Sequence, residues 1–138
     1  MAEVYVFDAK LESHVERPVT RPLALASRQT LVDLDGLIQE AFEWDDDHLY
    51  SFWLEGKFWG DKQTEYTAPF GLEESDAASA DVELRRLGLR KGQRIAYVFD
   101  FGDEWRVSVK LREAREGGET GILERKGDPP PQYPDYDE

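Results

Sequence analysis

Between Ile95 and Leu111 two runs of alternating side chains face each other across a glycine. Ile95, Tyr97, Phe99 and Phe101 share one side of the first run, and Trp105, Val107, Val109 and Leu111 one side of the second, with Gly102-Asp103 between. A period of two puts every second side chain on the same face, and glycine at the first central position suits a tight hairpin turn. The pattern predicts a hairpin with a strongly aromatic face, and such a face needs a covering layer. The clearest helix starts at Thr30: Thr30 and Asp33 have capping-box spacing, and Asp35 adds negative charge near the positive end of the dipole. Leu31, Leu34, Ile38 and Phe42, with Leu37 and Ala41 beside them, make one apolar stripe facing a sheet. The helix is expected to end near Trp44, where Asp45-Asp46-Asp47 begins.

The remaining segments add strands. Val4 to Leu11 alternates with one well-buried face, and Leu23 to Ala26 reads as a short second strand that, given Pro18 and Pro22, begins at a sheet edge. His48, Tyr50, Phe52 and Leu54 share a face, and Glu55-Gly56 predicts a turn into a return strand at Lys57-Phe58-Trp59. Gly60 to Ala80 reads as a long loop with a strand fragment near Glu65-Tyr66-Thr67. Asp81 to Leu87 forms a short helical turn with Val82, Leu84 and Leu87 inward and Gly88 ending it. The expectation is an α+β fold, a mixed, largely antiparallel sheet packed against one main helix plus a short helical turn. Residues 1–126 make one domain. The last residues, 127–138, carry four prolines and four acids with no base, an extended tail whose Tyr133 and Tyr136 either fold back over the core or anchor a docking peptide.

Composition removes several function classes. A chain of 138 residues buries roughly two-thirds of its unfolded surface, enough for one core. At 40% hydrophobic and 12% aromatic it is too apolar to be disordered. With no cysteine there is no disulfide, iron–sulfur cluster, thiolate zinc site or cysteine nucleophile. The first residues lack a basic and apolar leader, and the longest apolar run, Ile95 to Phe99, is too short for a bilayer, so a cytoplasmic protein without membrane contact is expected. The net charge of −13 repels polyanions, which disfavours nucleic acid as partner and favours protein.

Candidate chemistry is sparse. Arg85, Arg86, Arg90, Lys91 and Arg94 fall within ten residues containing no acid, and Arg106, Lys110 and Arg112 share the outward face of the last strand. These eight are expected to form one basic patch for a phosphate-bearing or acidic partner. Asp45, Asp47 and His48 are the weak metal candidates, since hard cations favour carboxylate oxygens, but the spacing matches no calcium loop or zinc helix, and His48 fits better as an anchored side chain at the core edge. No cofactor is expected. Asp100-Phe101-Gly102 spells a kinase triplet by accident, because the Gly-rich loop and catalytic segment that a kinase needs are missing. Nor is there a nucleophile-elbow serine. The leading expectation is a non-enzymatic interaction or accessory module. The alternatives are a nucleic-acid-contacting accessory factor that uses the basic patch, and an enzyme built on carboxylates at Asp47, Asp100 and Glu104.

Several of these fragments together resemble one family: the helix end running to Phe42-Glu43-Trp44-Asp45, then His48-Leu49-Tyr50-Ser51-Phe52, and Tyr97-x-x-Asp100-Phe101-Gly102-Asp103-x-Trp105. The chain is similar, over roughly residues 3 to 136, to the plasmid Ri ORF-three-like family, whose members are often labelled insertion-element passenger or TnpR-like proteins. The resemblance implies a sheet covered by a helix, marks Trp44, Asp45, His48, Phe52, Tyr97, Asp100, Phe101, Gly102, Asp103 and Trp105 as family-motif residues, and implies no particular activity. Tyr50 and Val107 stand where many members carry histidine, and the cysteines of the family's C-terminal segment have no counterpart here. Any metal site built on those positions is therefore expected to be lost.

Overall fold

The computed structural model describes residues 3–44, 48–69 and 77–125. Nine elements follow one another in these stretches: β1 (Glu3–Leu11), β2 (Val19–Ala26), α1 (Leu31–Ala41), β3 (Tyr50–Trp53), β4 (Glu65–Thr67), β5 (Ala78–Ser79), β6 (Arg94–Phe99), β7 (Trp105–Glu116) and β8 (Gly121–Ile122). The strands form one eight-stranded sheet in the order β5-β4-β3-β6-β7-β1-β2-β8, antiparallel except where β5 lies parallel to β4. With one α-helix and two single 3-10 turns, Lys62–Thr64 and Leu84–Arg86, among the described residues, the sheet outweighs the helix more than a balanced α+β reading suggests.

The helix forms as its sequence dictates. Thr30 accepts from the Asp33 amide at 3.2 Å while the Asp33 carboxylate accepts from the Thr30 amide at 2.9 Å, which closes the capping box. Leu31, Leu34, Ile38, Ala41 and Phe42 share one buried core with Phe7, Leu23, Leu25, Tyr97, Phe99 and Val109 of the sheet. Each fully buried leucine or isoleucine contributes about 2 kcal/mol of transfer free energy, so Leu34→Ala is the single change that most directly undoes this layer. The helix stops before Trp44. Glu43 adopts a left-handed conformation at φ 63, and the amides of Glu43 and Trp44 return to the carbonyls of Glu40 (3.2 Å) and Gln39 (2.8 Å). This doubly bonded ending turns Trp44 onto Phe99, where the rings stack at 4.8 Å and 4°.

Several features differ from expectation. β2 begins at Val19, four residues before the expected Leu23, and holds Pro22 inside the strand. The return strand of the first hairpin is β4, not Lys57–Trp59: successive turns close from the Gly56 amide to the Trp53 carbonyl (3.0 Å) and from the Gly60 amide to the Lys57 carbonyl (3.1 Å), lifting that segment off the ladder. The β6–β7 pairing ends at Phe99 opposite Trp105, so the connection is the five residues 100–104 rather than Gly102-Asp103. The cause is Asp100, which takes a left-handed φ of 59 and accepts from the Gly102 amide, while the Glu104 amide reaches the Asp100 carbonyl at 2.6 Å. Phe101 is consequently on the other face of the sheet, packed near Trp53, Ala96 and Val98. Asp35, which the sequence marks only as a charge near the positive end of the helix dipole, is 6% exposed, because the Tyr97 hydroxyl beneath the helix donates to it. The tail 127–138 lies outside the described residues.

Candidate anion-binding face

The face of the sheet away from α1 carries the polar positions of its central strands. Strand register arranges them as a lattice. One row runs Arg94, Lys110, Asp8, Pro22 across β6, β7, β1 and β2, and the next runs Ala96, Ser108, Lys10, Thr20. Side chains directly opposite in neighbouring strands stand about 5 Å apart at Cβ, so Arg94 and Lys110 are like charges held side by side, an arrangement that costs stability on its own.

The structure divides the predicted basic patch in two. Arg85 and Arg86 both reach Glu83 at 3.2 Å, and their hydrogen bonds, Arg86's first, hold that carboxyl below its ordinary range. Arg106 reaches Glu104 at 3.4 Å and lies over the Phe58 ring at 5.4 Å, and Arg112 grips both carboxylate oxygens of Asp8. Arg90, Lys91, Arg94 and Lys110 have no carboxylate partner among the described residues, and Lys10 joins them. The alternation of β1 already places Lys10 outward, but only the register shows that it faces β7.

These five cations rim two adjoining cavities, with Arg94 in the wall of both. The larger, about 700 Å³, is framed by Glu55, Gly56, Gly88, Arg90, Lys91 and Gln93, with the Glu55 carboxylate accepting from the Asp61 amide at 2.6 Å. Its walls are fixed: Gln93 donates to the Leu54 carbonyl at 3.1 Å and accepts from the Arg90 amide at 2.9 Å. Gly56, at φ 84, lets its turn close so tightly that a Cβ there would lie 2.8 Å from the Arg94 carbonyl oxygen. The smaller cavity, about 190 Å³, is lined by Asp8, Lys10, Thr20, Arg94, Ser108 and Lys110. Beyond it, Phe58, Trp59 and Phe101 build an aromatic ledge over Trp53, and Trp59 is 45% exposed.

The other candidates separate. Asp45 and Asp47 lie outside the described residues; His48 meets Phe99 edge-on at 5.5 Å with its Nε2 3.6 Å from Asp100 Oδ2. No group of three metal-binding side chains converges among the described residues. Of the proposed carboxylate enzyme, Asp100 turns toward His48 on the core side, while Glu104 accepts from Trp59 Nε1 at 2.5 Å on the opposite side. Those two do not meet, and Asp47 lies outside the described residues. Among the motif residues, Trp44, Phe52, Tyr97 and Trp105 are buried in the core; Val107 is fully buried there too. Gly102 and Asp103 belong to the 100–104 loop, where His14 Nε2 lies 2.7 Å from the Asp103 carbonyl. Sequence reasoning missed the Asp35–Tyr97 contact of 2.5 Å, to which Gln39 adds a bond to Asp35 at 2.8 Å. Burial first, then the Asp35 charge, hold the Tyr97 and Tyr50 hydroxyls well above their ordinary pKa.

The family model of the plasmid pRiA4b ORF-3-like protein matches residues 3–132. The uncharacterized protein y4hQ of Sinorhizobium fredii is 27% identical, with 86% of this chain aligned to 60% of that protein, so the chain spans less than two-thirds of its relative. A crystal structure of a Methanosarcina mazei Go1 protein of unknown function superposes with a TM-score of 0.69 at 22% identity, over 89% of this chain and 68% of that one, which shows a shared fold. Among the described residues no helix is long and apolar enough to cross a membrane.

Proposed function

We propose, from the premise that the chain belongs to the plasmid pRiA4b ORF-3-like protein family, that it is a non-enzymatic interaction module that docks an acidic segment of a partner protein on the helix-free face of its sheet. One observation carries the reading: Lys10, Arg90, Lys91, Arg94 and Lys110 stand without carboxylate partners around two adjoining cavities, on a chain whose net charge is −13. The field of these cations guides an acidic segment to this face while the rest of the surface turns it away. We propose the cytoplasm as the compartment, in keeping with a chain free of cysteine, and a mobile-element setting, in keeping with a family named for a plasmid reading frame.

The aromatic ledge beside Arg106 favours a second reading, in which bases of single-stranded nucleic acid stack on Phe58 and Trp59. An NMR titration of the full chain separates the two. A short Glu/Asp-rich peptide is expected to shift amides at 8–10, 88–94 and 108–110, with affinity falling about tenfold in an Arg94→Glu, Lys110→Glu variant. Shifts scattered over the surface and indifferent to that charge reversal refute the docking face. Tighter binding of a single-stranded oligonucleotide, with steep salt dependence, moves the nucleic-acid reading ahead.

A further inference from the structure

Resting on that docking face, we infer that the smaller cavity is a phosphate site: a pocket for one tetrahedral oxyanion carried as a phosphomonoester or met as free phosphate. Its six lining residues all carry polar or charged side chains. Lys10, Arg94 and Lys110 supply cationic donors from three adjacent strands, and the hydroxyls of Thr20 and Ser108 close the ring.

The one acid in the wall, Asp8, is no obstacle, since Arg112 grips both of its carboxylate oxygens. What remains facing the cavity is three positive charges, two of them opposite one another with no anion between. A phosphate dianion bridging Arg94 and Lys110 would turn that repulsion into two charge-assisted contacts. Size agrees. At about 30 Å³ per water, 190 Å³ holds roughly six waters, which is room for one phosphate.

The test follows backbone amides of the full chain as inorganic phosphate replaces chloride at constant ionic strength. Saturable shifts confined to Asp8, Lys10, Thr20, Arg94, Ser108 and Lys110 are expected, weakened about tenfold by Lys110→Gln or Arg94→Gln. Arg112→Ala is expected to weaken binding as well, because it releases Asp8 toward Lys110, and dispersed spectra verify that each variant is folded. A phosphoserine peptide and its unphosphorylated twin then distinguish the source. Preference for the phosphorylated peptide assigns the site to an ester; phosphate binding with no such preference assigns it to free phosphate. Shifts no larger than chloride gives, or unchanged in Lys110→Gln and Arg94→Gln, overturn the site. If the unphosphorylated acidic peptide still binds the face, only the phosphate site falls. If it does not, the docking face falls with it.

Discussion

Removing the Tyr97 hydroxyl isolates the polar contact that joins helix to sheet. In Tyr97→Phe the ring still fills its place, but Asp35, 6% exposed, loses a 2.5 Å donor and keeps its Gln39 contact. A hydrogen bond to a carboxylate is worth about 1.5 to 3 kcal/mol, and burial keeps water from replacing it, so about 2 kcal/mol is expected. At an unfolding entropy of roughly 2 cal/mol/K per residue, that lowers the Tm of this chain by about 7 °C. Asp35→Leu alone is comparably costly, because it leaves the Tyr97 hydroxyl buried without its acceptor. Combined, the two substitutions remove donor and acceptor together, and Gln39, only partly buried, turns to solvent. The double variant should therefore be about 2 kcal/mol more stable than the sum of the singles. Urea unfolding of all four proteins at pH 7 measures this coupling; additivity within about 0.5 kcal/mol would refute the view that the pair acts as one unit.

Three further outcomes follow from the same structure. Tyr97 and Tyr50 ionise near pH 10 in the unfolded chain and higher in the folded one, so their contribution is intact below pH 10 and lost as pH rises above it. Between pH 10 and 11 each phenol removes about 1 kcal/mol, and the stability gap between wild type and Tyr97→Phe should narrow by that amount; a constant gap in urea melts contradicts it. Glu43→Gly should raise Tm by about 3 °C, since a left-handed glutamate costs roughly 1 to 2 kcal/mol against a smaller entropic loss for glycine, whereas a lowered Tm would mean that the Glu43 side chain is needed. Thr30→Ala, which opens the capping box, should cost about 1 kcal/mol by chemical denaturation, with a neutral effect counting against it.

What the sequence disclosed was whatever depends on near neighbours. The capping box spans three residues, and the alternation in β1, β6 and β7 is visible within each strand, so these elements were legible along with the core face they share. Turns governed by a competing side chain were not: Asp100 reorganises residues 100–104, and Gly56 with Gly60 displaces the return strand to β4. β5 and β8 are two residues each, too short to show a period. Asp35 showed only as a charge near the positive end of the helix dipole because its partner lies 62 residues away. The candidate site follows the same logic. Eight cations were visible, but which of them carboxylates would neutralise depended on register, and Lys10 entered only when β1 was seen to lie beside β7.

The place of β1 also has a temporal side. Its neighbour β2 follows within a few residues, yet its longest pairing is with β7, which begins at Trp105. A ribosome adding about 5 to 20 residues per second needs on the order of ten seconds to make what lies between. Throughout that interval the nascent β1–β2 hairpin presents an open edge carrying Tyr5, Phe7 and Leu11, which invites pairing with other chains. Substitutions that weaken β7 should thus be seen first in how much soluble protein a cell accumulates, before any change in the finished molecule.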